Sequence, residues 1–258
     1  MSRVAAVIPA RLASTRLPRK PLLCDTGKYL VQHVWEQVRQ ARAIGRVLIA
    51  TDHEEILRAA QSFGAEVLLT AAHHRCGTDR VAEVARRLEL GPVVNVQGDE
   101  PEIDPAALDR LAELLAEGCP MATLAARITD NALWRDRNAV KVVVSLDGHA
   151  LYFSRAAIPE GAESSAPGAA RLHVGTYGYQ RDVLARLTAL PPSPLEKIER
   201  LEQLRALENG IRIRVLEVPH AFAGIDTPED YRAFVARYAH QQAASCSTRS
   251  ADRGGKDP

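Results

Sequence analysis

The feature that most constrains the fold is a rhythm in the first 120 residues. Short apolar runs at 4–8, 46–51, 66–70 and 92–96 alternate with segments whose apolar residues follow helical spacing. Val31, Val34, Trp35 and Val38 fall at i, i+3, i+4 and i+7, the stripe of a helix with one buried face. Gly45 is expected to close that helix, and Gly64 to stop a second one over 54–63. Val81, Val84, Ala85 and Leu88 mark another, and Leu108, Leu111, Ala112 and Leu115 the next. Strands this apolar are buried on both faces. Their alternation with helices implies βαβ units and a mainly parallel sheet.

From residue 121 the rhythm changes. Segments 121–126, 140–145, 151–153 and 172–179 read as strands, with Asp147-Gly148 turning between two of them. Residues 160–170 are rich in Gly, Ala, Ser and Pro and read as a mobile loop, and 181–187 as a short helix. The Pro-Pro-Ser-Pro at 191–194 opens what the spacing predicts to be one long helix reaching Asn209-Gly210. Its apolar row, Leu195, Ile198, Leu201, Leu204 and Leu207, recurs every third residue and so drifts by roughly 60° per step, which calls for packing on more than one side. A last strand at 213–218 and a helix return to the first sheet. The expected fold class is α/β: a mainly parallel, Rossmann-like sheet flanked by helices, with an inserted smaller β-rich region. Residues 1–120 and 211–240 would form the core and 121–210 the insertion; the polar, non-periodic tail 241–258 is expected to be disordered.

Balanced charge narrows the partners. The 258 residues carry 33 Lys and Arg against 32 Asp and Glu, so no overall field draws the molecule to nucleic acid or to a membrane. Any basic function is local. Cys24, Cys76, Cys119 and Cys246 are scattered without CxxC spacing, which suits a reducing compartment rather than a zinc ribbon or disulfide framework. No apolar run approaches membrane-spanning length, and a strand begins within four residues of Met1, leaving no room for a signal peptide; the expected location is the cytoplasm.

Chemistry-bearing residues gather where the strands end. The first run breaks at Pro9 into a loop holding Arg11, Ser14, Thr15, Arg16, Arg19 and Lys20. Guanidinium forks, an ammonium and hydroxyls at the binding crevice of a parallel sheet suit a polyphosphate, and the loop taken alone is equally a solvated basic turn that binds nothing. The run at 92–96 ends in Gln97-Gly-Asp-Glu-Pro101, setting Asp99 at the same sheet edge, beside the first loop if the two strands are neighbours. A carboxylate there can hold Mg²⁺, which takes one or two carboxylates together with waters and substrate phosphates; the alternative is a plain acidic turn. Far downstream, Thr227, Pro228 and Asp230 form the cap of the last helix, which leaves Asp226 free for a turn or as a second metal ligand. No G-x-G-x-x-G follows the first strand, and no P-loop is present. His73, His74 and Cys76 lie close together but lack a fourth zinc ligand, and read as a structural or substrate-contacting loop.

Taken together, Pro-Ala-Arg-x-x-Ser-Thr-Arg-Leu-Pro-x-Lys-Pro at 9–21, Asn-Val-Gln-Gly-Asp-Glu-Pro at 95–101 and Ile-Asp-Thr-Pro-Glu-Asp at 225–230 resemble the 3-deoxy-manno-octulosonate (Kdo) cytidylyltransferase, or CMP-Kdo synthetase, family. The likeness continues through Ala-Thr-Asp-His at 50–53, Gly-Thr-Asp-Arg at 77–80, Asn-Ala-Val-Lys-Val at 138–142 and Ala-Leu-Tyr-Phe-Ser-Arg at 150–155. It extends to Tyr-Gly-Tyr at 177–179 and Pro-Ser-Pro-Leu-Glu at 192–196, and covers the chain to about residue 235. The resemblance implies that CTP and Kdo give CMP-Kdo and pyrophosphate for lipopolysaccharide biosynthesis, with Mg²⁺ as cofactor and a homodimer as the assembly. Region 121–210 would then bind the sugar and form the dimer. Arg11, Lys20 and Asp99 would be catalytic. Arg11, Ser14, Thr15, Arg16 and Lys20 would hold the triphosphate, and Arg75, Gly77, Thr78 and Gln97 would seat the cytidine. Asp99 and Asp226 would hold the metal. Arg155, His173, Tyr177, Glu202 and Gln203 would line the sugar-acid pocket, with Arg155 or His173 facing its carboxylate. The alternatives are a cytidylyltransferase for 8-amino-Kdo or a sialic acid, and a non-catalytic nucleotide-binding protein on the same scaffold. The chain departs from the family pattern at Arg19, where Gly is common, at Cys76 for Ser, at Tyr29 for Pro, and in a shortened 160–170 loop.

Overall fold

The computed structural model describes residues 4–13, 16–161, 171–222 and 224–251. Of the expectations above, Ser14, Thr15, the loop segment 162–170 and the tail segment 252–258 fall outside them. Strands β1 (Val4–Ala10), β2 (Ile44–Thr51), β3 (Glu66–Leu69) and β4 (Val93–Asn95) are mutually parallel, β1 lying between β2 and β4. Helices α1 (Leu30–Val38), α2 (Glu54–Ser62) and α3 (Gly77–Arg87) connect them, and α4 (Pro105–Ala116) follows β4. From β1 the chain first steps outward to β2 and β3, then crosses back to β4 on the other side. The gap above β1 and β4 is therefore a topological switch point, where sheets of this kind open a crevice.

The second half extends the same sheet. β5 (Met121–Arg127), α5 (Asn131–Arg135), β6 (Lys141–Val144), β7 (Ala150–Ser154) and β8 (Arg171–Tyr179) follow in order. After them come α6 (Arg181–Ala189), α7 (Pro194–Glu199), α8 (Gln203–Glu208), β9 (Arg214–Val218) and α9 (Pro228–Ala251). The sheet of nine strands runs β3-β2-β1-β4-β8-β5-β9, and β8 is antiparallel to both its neighbours. The 121–210 segment thus gives β5 and β8 to the central sheet and sets only the β6–β7 ribbon off its path. Alternating residues of β1 supply both faces. Ala6 and Ile8 pack with Val31, Val34, Leu108 and Leu111, whereas Ala5 and Val7 pack with Val81, Val84, Leu184 and Leu204. Each such aliphatic side chain taken fully out of water contributes about 1.5–3 kcal/mol.

Four expectations are corrected. Gly45 does not close α1 but sits inside β2, where the register with β1 skips between Val4↔Ile44 and Ala5↔Arg46. A residue without a side chain there accommodates the bulge. Helix α3 begins at Gly77, earlier than its apolar stripe suggests, because Cys76 caps it by accepting from the Asp79 N–H at 3.4 Å. The long helix over 194–209 is two short ones. Arg200 adopts the left-handed conformation (φ 57°) between α7 and α8, and the bend turns Leu201 and Leu204 into the core while Ile198 stays 76% exposed. This is how the drifting row is accommodated. Finally, α9 runs on through Ala251 instead of losing structure at Gln241. The stretch from Gln241 to Ala244 is two Gln and two Ala, good helix formers, and the sequence after Pro228 has neither Gly nor Pro until Gly254.

Candidate active site

Three loops far apart in sequence meet on one ammonium group at the switch point. β1 ends at Ala10, and its loop returns through Arg19, whose φ of 57° turns the chain into a short 3-10 turn, Lys20–Leu22. Pro21, in the first turn, sets that geometry. Lys20 Nζ then donates to Asp99 Oδ2 at 2.6 Å, to the Ile225 carbonyl at 2.8 Å and to Asp226 Oδ1 at 3.1 Å. The other Asp226 oxygen pairs with Arg16 Nη2 at 3.0 Å. Backbone bonding ties the loops as well, since Ile225 N–H donates to the Asp99 carbonyl at 2.9 Å. Asp226 is free for this role because Asp230 does the capping: it accepts from the Asp226 and Thr227 N–H groups while its own N–H donates to Thr227 Oγ1. Arg11, half-buried at the start of the loop, has no hydrogen-bonded or ion-paired partner among the described residues.

Close backbone approach holds the strand ends together. A Cβ on Gly98 would lie 2.8 Å from the Pro9 carbonyl oxygen, so only glycine lets the β4 loop sit this close to β1. A Cβ on Gly77 would meet Pro9 Cγ at 3.1 Å, which brings the start of α3 to the same place. Gln97 points the other way and donates to the Gly175 carbonyl at 2.8 Å. That carbonyl is available because β8 bulges. Thr123 pairs with Tyr177 and Leu124 with Val174, leaving Gly175 and Thr176 out of the β5 ladder. Thr176 Oγ1 in turn donates to Glu100 at 3.1 Å. Burial, reinforced by the neighbouring Asp99 charge, pushes the Glu100 carboxyl up to about 8 against the smaller effect of that hydrogen bond.

Beside these loops lies a pocket of about 250 Å³ lined by Asn95, Gln97, His173, Tyr177, Glu202 and Gln203, with Gly77 and Thr78 at its edge. Four of the five expected sugar-pocket residues are among them. Arg155 is not: its Nε and Nη1 donate to the carbonyls of Glu199 and Arg137, each at 3.2 Å. Burial lowers His173 to about 3, so it is a neutral ring, placed 3.1 Å from Thr123 Oγ1 and edge-on to Phe153. Among the described residues the lining holds one carboxylate, Glu202, and no cation. Arg75 instead lines a larger neighbouring cavity of about 800 Å³ between α3 and α6, with Glu202 as a shared wall.

Some groups that hold the site together have no role assigned above, although Arg80 and Lys141 lie within the 77–80 and 138–142 segments. Glu83 accepts from the Ala71 N–H at 2.9 Å, from His74 at 2.5 Å and from Arg87 at 3.0 Å, fixing the segment that leads into α3. Arg80, wholly buried, donates to Asp52 at 2.7 Å. Lys141, also wholly buried, donates to the Asp136 carbonyl at 2.7 Å and the Arg155 carbonyl at 3.0 Å. Helical spacing from Glu83 to Arg87 was the available signal for the first, and membership of those two segments for Arg80 and Lys141; the contacts they make are tertiary.

Asp99 and Asp226 offer an oxygen-only pair of carboxylates, both reaching one cation and both partly open to solvent (28% and 46% exposed). Among the described residues no larger group of His, Cys, Asp or Glu is placed for a metal. Two carboxylates with room for waters and phosphate oxygens fit Mg²⁺ and not a closed zinc site.

A mainly parallel sheet with cations and carboxylates at its switch point suits a nucleotidyltransferase, and the cytidylyltransferase family matches residues 5–213. A 3-deoxy-manno-octulosonate cytidylyltransferase from Syntrophotalea carbinolica is 48% identical over 237 residues, 88% of this chain and 95% of the relative. Another, from Solibacter usitatus, is 50% identical over 230 residues, covering 88% and 91%. A solved CMP:2-keto-3-deoxy-manno-octonic acid synthetase complexed with CTP superposes with a TM-score of 0.88 at 40% identity, covering 93% of this chain and all of that one. The chain belongs to the 3-deoxy-manno-octulosonate cytidylyltransferase family. Among the described residues no helix is long and apolar enough to cross a membrane.

Proposed function

We propose that this protein transfers the cytidylyl group of CTP to Kdo. The observation that carries the reading is the convergence of the three family loops on Lys20 Nζ, beside a pocket lined by His173, Tyr177, Glu202 and Gln203. The anomeric hydroxyl of Kdo forms a bond to the α-phosphorus as the bond to the bridging oxygen breaks. Pyrophosphate leaves, and the hydroxyl proton passes to solvent. No covalent intermediate on the protein is required, so catalysis rests on positioning and on neutralising phosphate charge.

Arg11, Arg16 and Lys20 bind the triphosphate, with Ser14 and Thr15 as members of the same loop. Gly77, Thr78 and Gln97 seat the cytidine, and Arg75 approaches it from the neighbouring cavity. Asp99 and Asp226 are the residues that would hold Mg²⁺, which when bound lowers the charge on the reacting phosphate. In the sugar pocket, neutral His173 and Tyr177 and the acceptor Glu202 suit hydroxyl groups. Arg155 would reach the sugar carboxylate only by releasing the carbonyls of Glu199 and Arg137. A homodimer is supported by the exposed Leu151 and Ile198, both within 121–210. A cytoplasmic location is supported by the free cysteines Cys24, Cys76 and Cys119.

The test is CTP-dependent pyrophosphate release with Kdo, 8-amino-Kdo and a sialic acid. Kdo should be the best substrate, and Asp99→Asn should lower turnover by at least about 10³-fold with the fold intact. CTP binding without turnover of any sugar acid would refute the reading. Sedimentation reports the dimer.

A further inference from the structure

Asn95 is a polar residue where the fold has no structural use for one. It closes β4, in the otherwise apolar Val93-Val-Asn-Val96, and is 2% exposed. Its side chain makes no hydrogen bond among the described residues, and Oδ1 is sealed from solvent with no partner. Directly opposite on antiparallel β8 stands Tyr177, 8% exposed, whose hydroxyl is likewise buried and has no hydrogen-bond partner among the described residues. The Thr123 hydroxyl is near enough to favour the Tyr177 phenolate slightly, but it is turned to the Val174 and Thr176 carbonyls at 3.2 and 2.9 Å. Residues paired in this way project from the same face of the sheet, so the amide and the phenol stand side by side. Both line the 250 Å³ pocket. An unpaired buried amide costs stability that an aliphatic residue of the same shape would not.

We infer that Asn95 is a substrate-recognition residue, whose amide, next to the Tyr177 hydroxyl, hydrogen-bonds a neutral hydroxyl group of the sugar acid. This rests on the proposed function and assigns it a further specificity determinant. Charge selects the hydroxyl over the carboxylate. Among the described residues the pocket wall offers neutral His173 and the carboxylate Glu202 but no cation, so an anionic group gains nothing from them. An amide supplies both a donor and an acceptor, which matches a hydroxyl and its neighbour on a polyol.

The experiment compares wild type with Asn95→Leu, a near-isosteric change, using Kdo and a set of its single-deoxy analogues. The variant should keep its KM for CTP, lose about 10²-fold or more in kcat/KM for Kdo, and melt no lower than wild type because the orphaned group is gone. One deoxy analogue should be as poor with wild type as Kdo is with the variant, and the variant should lose nothing further on it. Folded Asn95→Leu with wild-type kcat/KM for Kdo would overturn the inference, as would equal losses for every analogue in both proteins. Should Asn95→Leu not fold, Asn95→Ser is read by the same criteria. A wild-type protein that turns over no sugar acid would instead refute the proposed function. Equilibrium binding of the same sugar acids then decides the Asn95 contact, equal affinity of wild type and variant overturning it.

Discussion

Gly98→Ala is the most informative single change at the junction of β1 and β4. The backbone at Gly98 has ordinary geometry, so an alanine suffers no conformational strain and only space is at issue. Its Cβ would lie 2.8 Å from the Pro9 carbonyl oxygen and 3.6 Å from Ile8 Cγ2. Ordinary contact begins near 3.4 Å, which leaves about 0.6 Å to be found. Neither partner is a flexible side-chain tip. Pro9 is fixed in β1, and the Val96 N–H donates to the Val7 carbonyl at 3.1 Å immediately before the loop. The loop must therefore swing out, carrying Asp99 away from Lys20 Nζ, now 2.6 Å distant, and disturbing the Ile225 contact with its backbone. Overpacking of this kind costs about 1–3 kcal/mol. For a chain of this size that lowers Tm by roughly 2–12 °C. A displacement of the order of 1 Å in a positioning group costs about 10²-fold in rate, so the shift here should lower kcat by about 10–100-fold. Thermal melts and steady-state pyrophosphate release measure the two effects. Wild-type Tm and kcat together would refute the steric argument. A lowered Tm with unchanged kcat would refute the link between loop position and catalysis.

Two further outcomes are expected. Arg19→Gly should raise Tm by about 2–4 °C, because Arg19 holds a left-handed φ that glycine adopts freely; a fall in Tm would mean that the exposed ion pair of Arg19 with Glu55 outweighs the strain. The second concerns acid stability. Burial alone would raise Glu83, but the Ala71 N–H, His74 and Arg87 outweigh it and hold the carboxyl at about 2, below its ordinary 4.5. A depressed carboxylate stabilises the fold fully above its unfolded value and loses that contribution as pH falls from about 4.5 towards 2. Glu83→Gln should therefore flatten the dependence of Tm on pH across that window and leave less difference from wild type at pH 2 than at pH 7; an unchanged pH profile would refute it.

Much of the sheet was legible because it is written locally. The runs at 4–8, 46–51 and 66–70 need only apolar character and a break, helices α1, α3 and α4 only a stripe, and α2 only its stop at Gly64. What escaped was decided by packing across the sequence. The expected helix over 194–209 has sound propensity throughout, yet the core accepts Leu201 and Leu204 only after a bend at Arg200, and the Glu199 carboxylate is drawn to Ser154 Oγ (2.6 Å) and the Arg155 N–H (3.0 Å). The Gly175-Thr176 bulge is equally invisible from spacing, because it is defined by the register of β5 against β8.

At the site, the residues with strong chemistry could be read and their neutral neighbours could not. Lys20, Asp99 and Asp226 stand out as charges at strand and helix ends, and they meet. Arg155 or His173 was expected to face the sugar carboxylate, but the imidazole loses its charge on burial and the guanidinium is engaged by backbone carbonyls, neither of which sequence reveals. Asn95 did leave a trace. One amide interrupts an apolar central strand, where valine would pack as well and cost nothing in unpaired hydrogen bonds. Such an interruption has two explanations, a partner within the fold or a partner outside it. Its cross-strand neighbour Tyr177 could have been the first, and both groups remain unbonded among the described residues. The second is left, and the pocket in front of both groups is where that partner belongs.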